Sequence, residues 1–205
     1  MVAPAGSSHA RHVPLGMIHD WIGAVFIPNA TLEETLSVVR NYPAYKDFYR
    51  PLIVDAAPLS SDGADSRFSL VVVNKTLFSS TALHCEFRDS YFQVDRNRSY
   101  SFSTSYSVRE IENYGQANQR ELPPDQGDGY IWRLFSISRF EERDNGVYVE
   151  REVIALSRDI PATLRFLIDP IVNHLSRESL STALSQTRQA VRSSLEAKSL
   201  KPRSR

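Results

Sequence analysis

Two periodicities divide this chain, and their order limits what it can fold into. Residues 52–157 carry short apolar or alternating runs broken by turn residues, the pattern of strands. After Asp159-Ile160-Pro161 the spacing becomes helical. Leu164, Phe166, Leu167 and Ile168 form an apolar turn or two that Pro170 is expected to interrupt. Ile171, Leu175, Leu180, Leu184, Thr187 and Val191 then mark one face of a long amphipathic helix, with Arg177, Glu178, Arg188 and Arg192 on the wet side. A sheet with one apolar face needs a cover, and the terminal helix is the available one.

The run at 21–27 reads as a first strand ending at Pro28. Thr31 with Glu34 three residues on is a capping box and starts a helix carrying Leu32, Leu36 and Val39, ended by Tyr42-Pro43. A second short helix holds Tyr45, Phe48 and Tyr49 and stops near Pro51. Strands are predicted at 52–58, 67–73, 77–87, 91–94, 100–111, 131–142 and 147–157. Ser61-Asp62-Gly63, Asn74-Lys75 and Arg96-Asn97 read as turns, Arg88-Asp89-Ser90 as a break, and 113–128 as an exposed loop. Strands in sequence pair as antiparallel neighbours. The class is α+β: a curved antiparallel sheet around a long C-terminal helix, with two short helices after the first strand. Residues 18–194 are expected to form the domain, 1–17 a disordered N-terminal tail containing His9 and His12, and 195–205 a basic C-terminal tail.

Composition removes several functions. Lys plus Arg and Asp plus Glu are 24 each, and a zero net charge argues against gripping nucleic acid or an anionic membrane. Cys85 is the only cysteine, so no internal disulfide or cysteine-built zinc site forms. No apolar run approaches the ~20 residues of a membrane span. The first residues lack the apolar core of an export signal. A cytoplasmic protein is expected from the sequence as written, and a periplasmic or secreted one if the native N-terminus extends further. There is no Gly-rich phosphate loop, HExxH, CxxC or GxSxG. No cofactor, metal or catalytic residue is assigned. Ten Phe, nine Tyr and two Trp are enough for a sizeable core and a lined cavity.

Asn145-Gly146 between two strand patterns is a strong hairpin signal. A two-residue Asn145-Gly146 loop would pair Asp144 with Val147, Phe140 with Arg151 and Ser136 with Ala155. One face then carries Trp132, Leu134, Ser136, Ser138 and Phe140 opposite Val149, Arg151, Val153 and Ala155. The other carries Arg133, Arg139, Glu141, Glu150 and Glu152, with Arg139 opposite Glu152. The apolar face should point at the helix.

Trp132-Arg133-Leu134, Arg139-Phe140-Glu141-Glu142, the Asn145-Gly146 turn and Val147-Tyr148-Val149-Glu150, within this element order, resemble the START-like superfamily, also called SRPBCC. Leu156-Ser157-Arg158-Asp159-Ile160-Pro161 is similar to a group of uncharacterised bacterial members related to polyketide-cyclase and lipid-transfer proteins. The resemblance implies the helix-grip fold and a cavity between sheet and terminal helix. Two positions depart from that group: Ser138 stands where it tends to carry Trp, and Arg151 where it tends to carry a small residue. Both alter the implied cavity wall.

Arg151 on an apolar face admits two readings: a clamp for a carboxylate or phenolate, or an internal ion pair or snorkelling side chain. His84 reads as a base or ligand, or as a hydrogen-bonded structural residue. Cys85 reads as a nucleophile or as a buried inert thiol. Tyr42, Tyr45, Phe48 and Tyr49 either gate a cavity mouth or pack a short helix. The expected function is binding or transport of a small hydrophobic or amphipathic ligand, with Arg151, Trp132, Leu134, Ser136, Phe140, Val153, Tyr106 and His84 lining the site. The alternative is a cyclase- or dehydratase-type enzyme on the same fold, using Arg151, His84, Tyr106 or Glu152 as acid/base groups.

Overall fold

Asp144 and Asn145 both adopt positive φ, 54° and 56°, and so form the two central residues of a type I′ turn. Gly146 is already paired with Arg143 in the ladder. Glycine is needed there for space: a Cβ would lie 2.4 Å from the Ile27 carbonyl oxygen and 2.6 Å from the Phe26 ring. The hairpin signal is right, but the loop sits one residue earlier than expected. Every pair therefore moves by two: Phe140 faces Val149, Ser138 faces Arg151 and Ser136 faces Val153. A two-residue shift leaves each side chain on its face, because strand side chains alternate with period two. Arg139 consequently sits opposite Glu150 and reaches both Glu150 and Glu152, at 2.8 and 3.2 Å. We expect Gly146→Ala to cost ~1–3 kcal/mol through overpacking, and Asn145→Gly to stay within ~1 kcal/mol of the parent; urea unfolding measures both.

The computed structural model describes residues 1–5, 11–14, 16–75, 80–124, 126–127, 131–158 and 165–200. Its elements are β1 (Val2–Pro4), β2 (Arg11–Val13), β3 (Gly16–Pro28), α1 (Leu32–Val39), a 3-10 turn (Tyr42–Ala44), α2 (Tyr45–Phe48), β4 (Ile53–Asp62), β5 (Asp65–Lys75), β6 (Ser80–Asp95), β7 (Arg98–Glu112), β8 (Arg120–Glu121), β9 (Ile131–Arg143), β10 (Gly146–Arg158) and α3 (Arg165–Ser199). They build one curved antiparallel sheet in the order β1-β3-β10-β9-β7-β6-β5-β4, with β2 added to β3 and β8 to β7. α3 packs against β3, β10, α1 and α2. The Thr31–Glu34 capping box forms in both directions.

Several expectations change. Part of the 1–17 tail is built into the sheet: β1 and β2 pair with β3, and Met17 is buried. β6 runs unbroken through Arg88-Asp89-Ser90. Asn74-Lys75 belongs to β5 and pairs with Ser80 and Thr81, so the connection falls on 76–79, outside the described residues. Part of the exposed loop at 113–128 forms β8 against β7. Helix α3 passes through Pro170, which deletes one backbone donor in a helix of 35 residues. Its first described buried side chains are Leu180, Leu184, Thr187, Ala190 and Val191.

Two buried clusters lie under the helices. One joins Ile27, Val147, Val149 and Phe140 to Leu180, Leu184 and Val191 of α3 and to Leu32, Val38 and Val39 of α1. The other joins Tyr42, Tyr45 and Tyr49 to Phe68, Leu70, Leu83, Cys85, Phe87 and Val108. Gly23 lets the helix approach: a Cβ there would meet Leu184 Cδ1 at 2.8 Å. Cys85 is fully buried and its thiol is pushed up to about 12 by burial. Ellman's reagent should therefore leave it unmodified in the native protein and titrate it fully in guanidinium.

Candidate functional site

The concave face is defined by period-two series on neighbouring strands. On β6 it carries Leu83, Cys85, Phe87, Asp89 and Tyr91, and on β5 Ser66, Phe68 and Leu70. On β7 it carries serines: Ser99, Ser101 and Ser105 are buried, while Phe102 and Tyr106 point outward and are exposed. On the convex side Phe92 stacks on Tyr100 and Phe102 on Phe135, while Tyr100 meets Phe102 edge-on, with centroid separations of 5.0 to 6.0 Å. Alternation fixes that β7 has two faces but not which one is inside. Here the bulky tyrosines of the α1–α2 region occupy the concave side, and small residues lie beneath them.

Two adjacent rows cross this face. One runs Tyr91, Ser101, Ser138, Arg151, Gly23, and the other Ser66, Asp89, Ser103, Ser136, Val153, Trp21. Asp89 and Arg151 thus stand at opposite ends of a floor made of Ser101, Ser103, Ser136 and Ser138. The Arg151 Nε donates to Ser138 Oγ at 3.0 Å. The two positions that depart from the similar bacterial group, Ser138 and Arg151, are therefore direct cross-strand partners.

Tyrosines surround the floor. Tyr42 donates its phenol to Asp89 Oδ2 at 3.1 Å, Tyr45 donates to the Val39 carbonyl at 2.5 Å, and the Tyr49 and Thr187 hydroxyls share a hydrogen bond at 2.9 Å. Asp89 is buried, and its Oδ1 has no hydrogen-bond partner among the described residues. Burial raises its pKa, against the pull of Ser103, Tyr42, Arg151 and Arg40. Burial likewise pushes the Tyr45 and Tyr91 phenols well above their ordinary value, so both are neutral at physiological pH. Burial disfavours the Arg151 charge, but Tyr49, Tyr45, Tyr91 and Asp89 outweigh it, and the arginine pKa goes up. With the Tyr45 and Tyr91 phenols neutral, Asp89 is the carboxylate that faces Arg151 here.

The expected site residues divide. Arg151, Ser136 and Val153 lie on the two central rows, with Phe140 buried in the core beside them and Leu134 packed on the neighbouring aromatic cluster. Trp132 falls at a bulge of β9 and borders a recess of about 10 Å³ with Leu83, Val108, Glu110 and Ile131, room for one water. His84 and Tyr106 are corrections. His84 alternates with inward Leu83 and Cys85, faces the convex side, and bonds Glu121 through Nδ1 at 3.0 Å. Tyr106 is the extra residue of a bulge in β7, 45% exposed, under the Arg67 guanidinium. Glu152 is also convex, paired with Arg139. Asp89 was missed, although its signal is in the sequence: 83, 85, 87, 89 and 91 form an unbroken inward series with one acid in it.

An open groove of about 540 Å³ lies across the convex face, lined by Tyr100, Phe102, Ile137 and Tyr148. Two of its charged residues, Arg139 and Glu150, are already paired with each other. Among the described residues no three His, Cys, Asp or Glu side chains are grouped to hold a metal, and no helix is long and apolar enough to cross a membrane.

No protein-family profile and no curated protein sequence matches the chain. Solved structures do. The STAR-related lipid transfer protein from Xanthomonas axonopodis superposes with a TM-score of 0.56 at 17% identity, covering 90% of this chain and 97% of that one. Human STARD10 gives 0.57 at 8% identity, over 95% of this chain and 78% of that one. The chain has the START-like, helix-grip fold. The Zhui aromatase/cyclase from Streptomyces sp. R1128 is similar to the same extent, with a TM-score of 0.56 at 10% identity over 85% of this chain and 94% of that one. START-like architecture is thus common to structures whose names describe transfer and chemistry alike, and the reading of function rests on the residues of the concave face.

Proposed function

We propose that the protein binds a small amphipathic molecule between the concave face of the sheet and the terminal helix. The observation that carries this reading is the state of Arg151. Its side chain lies on the concave face and donates to Ser138, yet it retains surface that water can touch. Tyr91, Ser136, Val153, Leu134 and Trp21 on the same face are also only partly covered. Side chains that keep accessible surface on a face roofed by helices leave room for a small molecule beside them. The make-up of this face, apolar and aromatic sides with a few convergent polar groups, is that of a ligand site. The convex groove fits such a ligand less well, since it is open to water. The lipid-transfer neighbours support a carrier role.

The cyclase-type alternative required several of Arg151, His84, Tyr106 and Glu152 to converge. Of the four, Arg151 alone faces inward, which favours binding over chemistry.

The test is saturable binding of the neutral fluorophore N-phenyl-1-naphthylamine to the whole protein. Ser136→Trp should fill the space above the serine floor, abolish the fluorescence rise and leave the circular dichroism spectrum unchanged. Binding unaffected by Ser136→Trp would place the fluorophore elsewhere and end this reading.

A further inference from the structure

The polar end of the site is unusual in holding both signs of charge. We propose that it selects a neutral, hydroxylated apolar molecule over a carboxylate of the same size, the ligand donating a hydrogen bond to Asp89 Oδ1 and accepting one from the Arg151 guanidinium. The inference rests on the concave-face reading above.

Three observations carry it. First, Asp89 is buried with only 5% of its surface exposed, and by hydrogen-bond geometry its Oδ1 has no partner among the described residues, the Ser103 hydroxyl being its polar neighbour on the next strand. A buried carboxylate oxygen left unsatisfied is costly, and a ligand donor there removes the cost. Second, Arg151 carries five N–H donors, of which the Nε donor is engaged, by Ser138. The remaining fork is available to an acceptor. Third, the floor between these two groups is made of serines, the smallest hydroxyl side chains, and Ser103 and Ser136 are only partly covered.

An anionic head meets Arg151 favourably but brings its charge toward Asp89, in surroundings where like charges repel strongly. It also cannot donate to Oδ1. A hydroxyl beside a carbonyl or a second hydroxyl satisfies both ends and adds no charge. Arg151 taken alone suggests an acid-binding clamp; Asp89 on the neighbouring row reverses that preference. The tyrosines do not alter the balance, because Tyr45 and Tyr91 are neutral and Tyr42 already donates to the other oxygen of Asp89.

The experiment is displacement of N-phenyl-1-naphthylamine from the full chain by 1-monolauroylglycerol and by laurate, which share one acyl chain, at mildly alkaline pH where laurate is ionised. The glycerol ester should displace the fluorophore at a concentration at least about tenfold lower than laurate. In Asp89→Asn the repelling charge is gone and Arg151 keeps its own, so the ratio should move toward laurate by at least about tenfold. Laurate binding as tightly as the ester in the wild type would overturn the selectivity while leaving the cavity reading in place. A ratio unchanged by Asp89→Asn, in a variant with native circular dichroism, would overturn the role of Asp89. Failure of the fluorophore itself to bind would remove the cavity reading and this inference together.

Discussion

Phe68→Ala should be among the most destabilising single truncations in the molecule, costing ~3–5 kcal/mol in equilibrium unfolding. Phe68 is 3% exposed and lies between two rings: Tyr42 stacks on it at 4.2 Å and Phe87 at 5.4 Å, while Tyr45 meets it edge-on at 6.1 Å. Tyr42 and Tyr45 come from the short helical segments that roof the concave face, and Phe68 and Phe87 come from the sheet. Removing the ring therefore leaves a cavity and also unseats the roof. Tyr42 holds Asp89 through its hydroxyl, so ligand binding should weaken along with stability. Phe68→Leu keeps most of the volume and should recover more than half of the loss in a chemical denaturation series. A cost below ~1 kcal/mol for the alanine variant would mean that the aromatic stack contributes little.

How far the sequence exposes this structure depends on which physical rule decides each position. Thr31 and Glu34 form their capping box because the partners are three residues apart and nothing distant competes. The hairpin at Asn145 was visible for the same local reason. Its frame was not, because Gly146 owes its identity to the Ile27 carbonyl and the Phe26 ring on β3, more than a hundred residues away in the chain. The shift happened to be even, so Arg151 kept its face. On β7 the pattern was legible as two faces, but the choice of serines inward depended on tyrosines delivered from another part of the chain. Tyr106 shares the outward face of Phe102, and the bulge beside it returns Val108 to the inside, a change of parity that alternation cannot register. Arg88-Asp89-Ser90 reads as a break before a short strand, because acids and serines are common between strands. Only the continuation of the inward series to Tyr91 marks Asp89 as a strand residue, and only the cross-strand rows show what it faces.

Arg151→Leu should destabilise the protein at neutral pH by on the order of 2–4 kcal/mol, and the cost should depend on Asp89. The leucine removes a positive charge that lowers the Asp89 pKa and leaves a buried carboxylate with less to offset its desolvation. In an Asp89→Asn background no such charge remains, and the same substitution should cost under ~1 kcal/mol or even stabilise. The pH dependence carries the same sign. Burial places the folded-state pKa of Asp89 above its unfolded value, so between the two the native protein binds more protons than the unfolded chain. The contribution of Asp89 to stability therefore falls as pH rises through that window, and its cost is fully present above it. Arg151→Leu moves the folded-state value further up and widens the window, so its cost should shrink as the solution is acidified toward the ordinary aspartate range. Asp89→Asn should remove this part of the slope. Denaturation of the four proteins of the cycle, at neutral pH and near pH ~4, measures all of these effects. An Arg151→Leu cost that is the same at both pH values and in both backgrounds would show that the two charges do not sense each other across the serine floor.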